Sequence, residues 1–428
     1  MCILFTYHAS DPSTFPWKLV LASNRDEMID RPADPASIWP AQMTATSESD
    51  GDQEVAAPIL AGRDRLARGT WLGLTLDGRL AALTNRPPAV AAHVDTISVS
   101  CAVHAGLRSR GLLLTDFLAS RGIANIHQLR SADSSDDDES LGEEQPHASV
   151  AHIEPPAYLE RVLDQRERYA GFNLLVGDVA CDQYAVLSHV HDVSQTIITN
   201  ADTGVSTIND KPSSKCQVSM SHTLVFEESD AATRLEPNTP YVISNASFPV
   251  YTPADWPKLA HGQESFARIM AEEKSRWKAA GADAPTAEAL GRRLLDMLSD
   301  AMEYSDYRLA DSTATNGSIV PARCIRVPLT LRPLGWYATR VNTIILVDHD
   351  GNVTFAERAW DSMLHDRQRA LDGEKNGSNN SNGNGNSSSS NPNVLPASMA
   401  NVFQFQLGEA QEPADVARSV WRNLNCDI

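Results

Sequence analysis

The sequence predicts an α+β protein in which antiparallel sheets carry helices on their outside, and three observations point there. Strand-like segments come first, helix-like segments follow, and strands return. The dipeptides Asp77-Gly78 and Asp350-Gly351 sit between neighbouring strand candidates as hairpin signals. The G-x-G series that a doubly wound dinucleotide fold needs is missing.

In chain order, strands are expected at residues 2–7, 18–24, 71–75 and 80–85, each apolar with β-branched or aromatic content and bounded by turn formers. Helices are expected at 107–121 and 155–169, where apolar residues recur at three- and four-residue spacing. Strands resume at 173–178, 184–189, 195–199 and 241–244. Two further helices, at 263–280 and 287–302, precede a last strand at 343–347. Low-complexity insertions at about 44–58, 131–150 and 372–396 interrupt what is expected to be a single domain over residues 1–428. The first is polar and acidic, and the third is nearly pure Asn, Gly and Ser. The second, SADSSDDDESLGEEQP, is a run of like charge that cannot bury itself; it reads as a solvated loop, with a docking site for a basic partner as the alternative.

Over 428 residues, 42% hydrophobic and 21% charged, the composition fits a water-soluble globular chain. With 55 acidic against 36 basic residues the net charge is -19, which repels phosphate backbones and anionic headgroups, so no nucleic-acid partner is expected. The six cysteines form no CxxC pair, which favours a reducing compartment over a zinc cage. His8, His189, His191 and His222 share no ligand spacing, so neither a metal nor a cofactor is expected. The opening MCILFTYHAS has no basic n-region or cleavage site, and no run approaches 18 apolar residues. A cytoplasmic protein without an integral membrane span is the expectation; the pattern leaves the oligomeric state open.

The chemistry concentrates near the start. Cys2 follows Met1, and a small second side chain is what methionine aminopeptidase accepts, so Cys2 is expected to become the free N-terminus. Its own α-amine, with an ordinary pKa near 7.7 to 8.0, could then take the proton of a thiol near 8.5. The competing reading is that Cys2 only fills a strand core, since cysteine is among the most buried residue types. Next, Ser23-Asn24-Arg25-Asp26-Glu27 packs an amide, a guanidinium and two carboxylates into a strand end. Such a cluster can orient the amine and clamp a carboxylate or carbonyl, or merely close a turn with ion pairs. Trp39, Trp71, Trp256, Trp336 and Trp360 are core or pocket candidates. Gly69, Gly73 and Gly171 mark close packing or unusual backbone angles.

Several blocks in fixed order, MCILF, LASNRDE, GTWLG, GRLAALTN, GFNLLVGD, SNA, TRVNTIILVD and VTFAER, span nearly the whole chain. Together they resemble the transport and Golgi organisation protein 2 family, also called the NRDE family. The resemblance implies a four-layer αββα N-terminal-nucleophile hydrolase-like sandwich of two antiparallel sheets flanked by helices. That fold group includes cholylglycine hydrolases and penicillin V acylases, which cleave non-peptide amides with an N-terminal Cys. By this analogy the catalytic candidates are Cys2, Asp26 to hold its amine, and Asn245 or Asn85 to donate to an oxyanion. Asn24, Arg25, Arg340 and Asn173 are the substrate-binding candidates. Arg25 stands outside the hydrolase pattern, where an Arg precedes the Asn, and Arg340 could supply that charge. Each of these Asn residues, and Arg340, could equally close its own turn. The resemblance further implies roles in Golgi organisation, secretion and lipid, acyl-coenzyme A or haem homeostasis, with Golgi or mitochondrial association. Two functions therefore stand: an amide or thioester hydrolase, or a non-catalytic carrier of a small acyl or haem-like ligand.

Overall fold

A computed structural model describes residues 2–39, 57–86, 107–119, 153–190, 232–246, 248, 257–279, 285–301, 324–332, 335–361, 364–365, 398–408 and 413–424. The expected insertions at 131–150 and 372–396, nearly all of that at 44–58, and the expected strand at 195–199 lie outside these residues.

The first strands are β1 (Ile3–His8), β2 (Trp17–Met28), β3 (Ala33–Trp39), β4 (Ile59–Asp64), β5 (Leu72–Thr75) and β6 (Arg79–Asn85). Helices α1 (Gly111–Ala119) and α2 (Pro155–Asp164) precede β7 (Phe172–Asp178), β8 (Gln183–His189), β9 (Ala232–Arg234) and β10 (Tyr241–Ile243). Helices α3 (Pro257–Ala279) and α4 (Ala287–Leu298) lead to β11 (Thr330–Arg332), β12 (Gly335–Asp348), β13 (Asn352–Ala359), β14 (Ala400–Gln406) and β15 (Ala417–Trp421). One sheet runs β10-β1-β2-β12-β13-β14-β15 with β11 beside β12, and the other runs β3 to β9 in sequence order. The strand pairings are antiparallel.

Alternation along the strands builds the layers, because successive side chains point to opposite faces. On β1, Ile3, Phe5 and Tyr7 pack with Leu259 and Phe266 of α3 and Leu290 and Leu294 of α4. Leu4 faces the other way, into a core shared with Leu60, Leu72, Leu74 and Leu80 of the second sheet. Ile59, Ala61, Leu83 and Leu174 on that sheet's far side meet Leu114 and Phe117 of α1 and Tyr158 and Leu159 of α2. Three stacked apolar interfaces make the predicted α–β–β–α sandwich.

Differences from the expected elements have local causes. The strand expected at 343–347 is only the apolar later part of β12, whose earlier part carries Thr339, Arg340 and Asn342, polar residues that find their partners inside the protein. Helix α3 begins at Pro257, not 263, since proline presets φ for a first turn. Strand β3 contains Pro35, which reads as a strand breaker; it is tolerated at the sheet's edge, where the register shifts between Asp34 and Ser37. The hairpin glycines Gly78 and Gly351 adopt φ of 105° and 83°, as their turns require.

Candidate functional site

Strand β2 runs from apolar WKLVLA directly into SNRDEM, so alternation splits the polar block between two faces. Asn24 and Asp26 point toward the helices, and Arg25 points toward the second sheet.

On the helix side, Asn24 is fully buried and lies in register with Asn342 of β12, itself in register with Arg358 of β13. Asn342 Nδ2 donates to Asn24 Oδ1 at 2.6 Å, and its Oδ1 accepts from Arg358 Nε at 2.9 Å and Trp360 Nε1 at 2.7 Å. Asn24 Nδ2 donates to the carbonyls of Leu298 (2.9 Å) and Ile325 (3.1 Å). Arg358 donates to the Leu295 carbonyl at 3.0 Å and to Ser299 Oγ, and stacks on Trp360. The row thus satisfies carbonyls at the C-terminus of α4, where a cation also suits the helix dipole.

Asp26 sits beside that row. Its carboxylate accepts from Thr339 Oγ1 at 2.5 Å and pairs with Lys258 of α3 at 3.2 Å. Its carbonyl oxygen accepts from Tyr337 Oη at 3.0 Å and from the Cys2 thiol at 3.7 Å. Cys2 is half-buried, and its own carbonyl accepts from Ser244 Oγ at 2.6 Å. Burial pushes the thiol's pKa up, with the carboxylates of Asp26 and Glu27 adding to this and the N-terminal charge and the Asp26 backbone bond opposing it. A thiol so placed stays protonated at neutral pH and needs a base when it attacks.

Cys2 opens on a cavity of about 300 Å³ lined also by Arg25, Asp26, Glu27, Asp64, Trp71 and Asn85, with residues 107–111 closing one side. Arg25 is 5% exposed and stacks on Trp71 at 4.2 Å from its ring centroid. Its Nη2 lies 3.8 Å from Asp64 Oδ2, and its buried Nη1 has no hydrogen-bond partner. Asp64 is committed elsewhere, taking Arg31 Nε at 2.6 Å and the N–H groups of Leu66 and Ala67 at 2.9 Å. Burial works to raise its pKa, but the Ala67 N–H, Arg31 and Arg25 outweigh that and hold it below the usual carboxylate value.

The remaining candidates divide between cavity and frame. Asn85 lines the cavity, and its carbonyl accepts from Asn245 Nδ2, so Asn245 braces Asn85 from outside the lining. Asn173 Nδ2 donates to the carbonyls of Ser244 (2.6 Å) and Ala246 (2.9 Å), locking the segment that holds Cys2. Arg340 is the extra residue of a bulge on β12, between Thr339 and Val341. It binds Asp361 through two bonds of 2.8 and 2.6 Å and donates to the carbonyls of Met28 and Arg31. Neither Asn24, Asn173 nor Arg340 lines the cavity; their hydrogen-bonding groups are turned to structural partners.

Lys258, Thr339, Asp64, Arg108 and Arg110 escaped the sequence reading. The first three come from distant segments and carry no local mark. The run LRSRG, two arginines just before a helix start, did carry one, because the dipole there disfavours cations. Gly69 and Gly111 explain how that start reaches the site: a Cβ on Gly69 would stand 2.5 Å from the Gly111 carbonyl carbon. Only bare backbones let α1 begin against the strand leading to Trp71. Among the described residues, no three His, Cys, Asp or Glu are grouped to hold a metal ion. No described helix is long and apolar enough to cross a membrane.

The family model described as Transport and Golgi organisation 2 matches residues 1–362. The chain is 27% identical over 380 residues to the Transport and Golgi organization protein 2 homolog of Bos taurus, covering 86% of this chain and 98% of that protein. For the Homo sapiens homolog the identity is 28% over 368 residues, with 84% and 93% covered. Among solved structures, penicillin V acylase from Agrobacterium tumefaciens aligns with TM-score 0.36 and 10% identity, covering 84% of this chain and 83% of that one. A mutant conjugated bile acid hydrolase from Clostridium perfringens aligns at 0.31 and 10%, with 84% and 89% covered. Scores of this size carry no argument about chemistry.

Proposed function

From its membership of the transport and Golgi organisation 2 family as premise, we propose that this chain is a small-molecule hydrolase acting on amide or thioester bonds through Cys2. The observation that carries the reading is the Cys2 thiol at the cavity wall, held by the Asp26 carbonyl and facing cationic and amide groups. Once Met1 is cleaved, the Cys2 α-amine takes the thiol proton as sulfur attacks the carbonyl carbon, and returns it to the leaving amine or thiolate. Asn85, braced by Asn245, is the donor for the oxyanion. Water, activated by the same amine, then releases the acyl group and restores the thiol. Asp26, anchored by Lys258 and Thr339, positions the amine from the strand beside it.

The raised thiol also favours a second reading, in which the cavity holds an acyl or haem-like ligand without turning it over. Either activity would serve Golgi organisation and secretion, or lipid, acyl-coenzyme A or haem homeostasis, from the cytoplasm with Golgi or mitochondrial association. Intact mass spectrometry after incubation with a panel of N-acyl amides and acyl thioesters separates the two. The hydrolase gives a chain lacking Met1 and an acyl adduct on Cys2 that Cys2→Ala loses. Retention of Met1, or no adduct from any acyl donor, sinks that mechanism. A haem titration that shifts the Soret band supports the carrier instead.

A further inference from the structure

The arginines of this cavity outnumber the tasks the protein gives them. Arg25, Arg31, Arg108 and Arg110 all line it. Arg31 is taken by Asp64, but Arg25 reaches that carboxylate only at 3.8 Å. Arg25 lines the cavity wall, and its buried Nη1 donates to nothing. An unmade hydrogen bond on a buried charged group forfeits free energy that a partner would restore. The flat face of Arg25 is held by Trp71, which fixes the plane of the guanidinium and presents its edge.

A second cation arrives from across the cavity. Arg110 Nη1 donates to the Gly171 carbonyl at 2.9 Å, and among the described residues no carboxylate pairs with it. It immediately precedes Gly111, the first residue of α1, and the cavity wall includes Ser109 and Gly111. Helix α1 has no acidic residue in its first turn. Cations beside a helix N-terminus oppose its dipole, and burial works against the Arg110 charge more strongly than the nearby Glu27 carboxylate supports it. An anion there answers Arg25, Arg110 and the helix end together.

We propose that the cavity is an oxyanion-group subsite. Arg25 and Arg110, at the start of α1, grip a carboxylate or phosphate of an acyl substrate and bring its reactive carbonyl beside Cys2. The placement of the carbonyl rests on the hydrolase reading above, whereas the grip on the anion stands on the cavity alone. The substrates this selects are acyl compounds carrying a fixed negative charge a few bonds from the scissile carbonyl, in preference to neutral ones.

The test uses the full chain, its Arg25→Gln and Arg110→Gln variants, and Arg25→Lys to keep charge without the fork. Melting temperatures are compared in sodium phosphate, sodium succinate and sodium chloride at equal ionic strength. The subsite predicts a rise of several degrees in phosphate, succinate or both, lost in each Gln variant and only partly kept in Arg25→Lys. A phosphate-only or succinate-only rise identifies which group the site takes. No rise above chloride, or a rise that survives in both Gln variants, overturns the proposal. The second readout is alkylation of Cys2 by anionic iodoacetate against neutral iodoacetamide. Relative to free cysteine, the iodoacetate preference should increase about tenfold in the wild type and vanish in the Gln variants. A ratio equal to that of free cysteine also overturns it. Failure of the hydrolase reading shows separately, as no acyl adduct on Cys2 despite intact anion stabilisation.

Discussion

Two arginines, Arg358 behind strand β2 and Arg25 in front of it, occupy opposite sides of the same sheet and could hardly be treated more differently. Arg358 is fully buried and donates to Asn342, Leu295 and Ser299, so its charge is absorbed by a network that also closes the end of α4. Arg25 is almost as buried, yet one of its nitrogens meets no acceptor. The contrast separates framework from site: saturation marks a residue that holds the fold, and a buried group left short marks a place where a guest belongs. The same rule sorts the motifs, since NRDE, TRVNT and VTFAER contribute Asn24, Asn342 and Arg358 to the frame and only Arg25, Asp26 and Glu27 to the cavity.

The sharpest test of that division is Cys2→Ala. On the cavity side, acyl transfer should drop by ~10⁴-fold or more while the urea midpoint stays close to wild type. A Cys2→Ala protein that turns over normally would move the chemistry elsewhere. On the frame side, Arg358→Ala should cost about 3–5 kcal/mol in urea unfolding, because Asn342 and the last carbonyls of α4 lose their donor. Arg25→Gln should cost less than about 1 kcal/mol. Equal losses for the two variants would erase the distinction.

Glu357 supplies a pH-dependent check at the junction. It points between the sheets, its Oε1 accepts from the Ala36 N–H at 2.6 Å, and its pKa is pushed up from 4.5 to about 7. Burial is the cause, with Asp361 adding and the Ala36 bond and Arg25 opposing. Between those pH values the folded chain keeps a proton that the unfolded chain releases. Its stabilising share is therefore complete below pH 4.5 and lost as pH rises through 7, about 3 kcal/mol in all. Glu357→Gln should flatten that slope in unfolding measured at several pH values; an unchanged slope would assign the dependence to other groups. A smaller loss than that of Arg358→Ala is expected of Gly69→Ala, whose methyl collides with the Gly111 backbone and should cost about 1–3 kcal/mol. Its anion-induced rise in melting temperature should shrink in parallel, because α1 is pushed back.

Strands whose interiors are runs of apolar residues, such as β1, β7 and β8, were legible in the sequence. Strands β3, β4, β14 and β15 were not, since Pro35, AGRD and ANVFQFQ dilute the pattern that burial on two faces produces elsewhere. At the site, Cys2, Arg25 and Asp26 could be named from local chemistry, whereas Asn85 came from the family resemblance alone. Position within SNRDE decides the rest: counting by twos along β2 would have placed Asn24 with Asp26 and opposite Arg25. Lys258 depends on where α3 docks, which no nearby residues encode, whereas Arg110 left one local trace in the two arginines before the start of α1.

Asp64 gives the cavity a further property. Its oxygens already hold Arg31 and the backbone of the 64–68 turn, and Arg25 merely leans on it from 3.8 Å. A visitor that takes the idle edge of Arg25 therefore leaves the turn's own fastenings in place. Occupancy of the proposed subsite would then leave the 64–68 turn fastened as it is, like a coat hung on a spare peg.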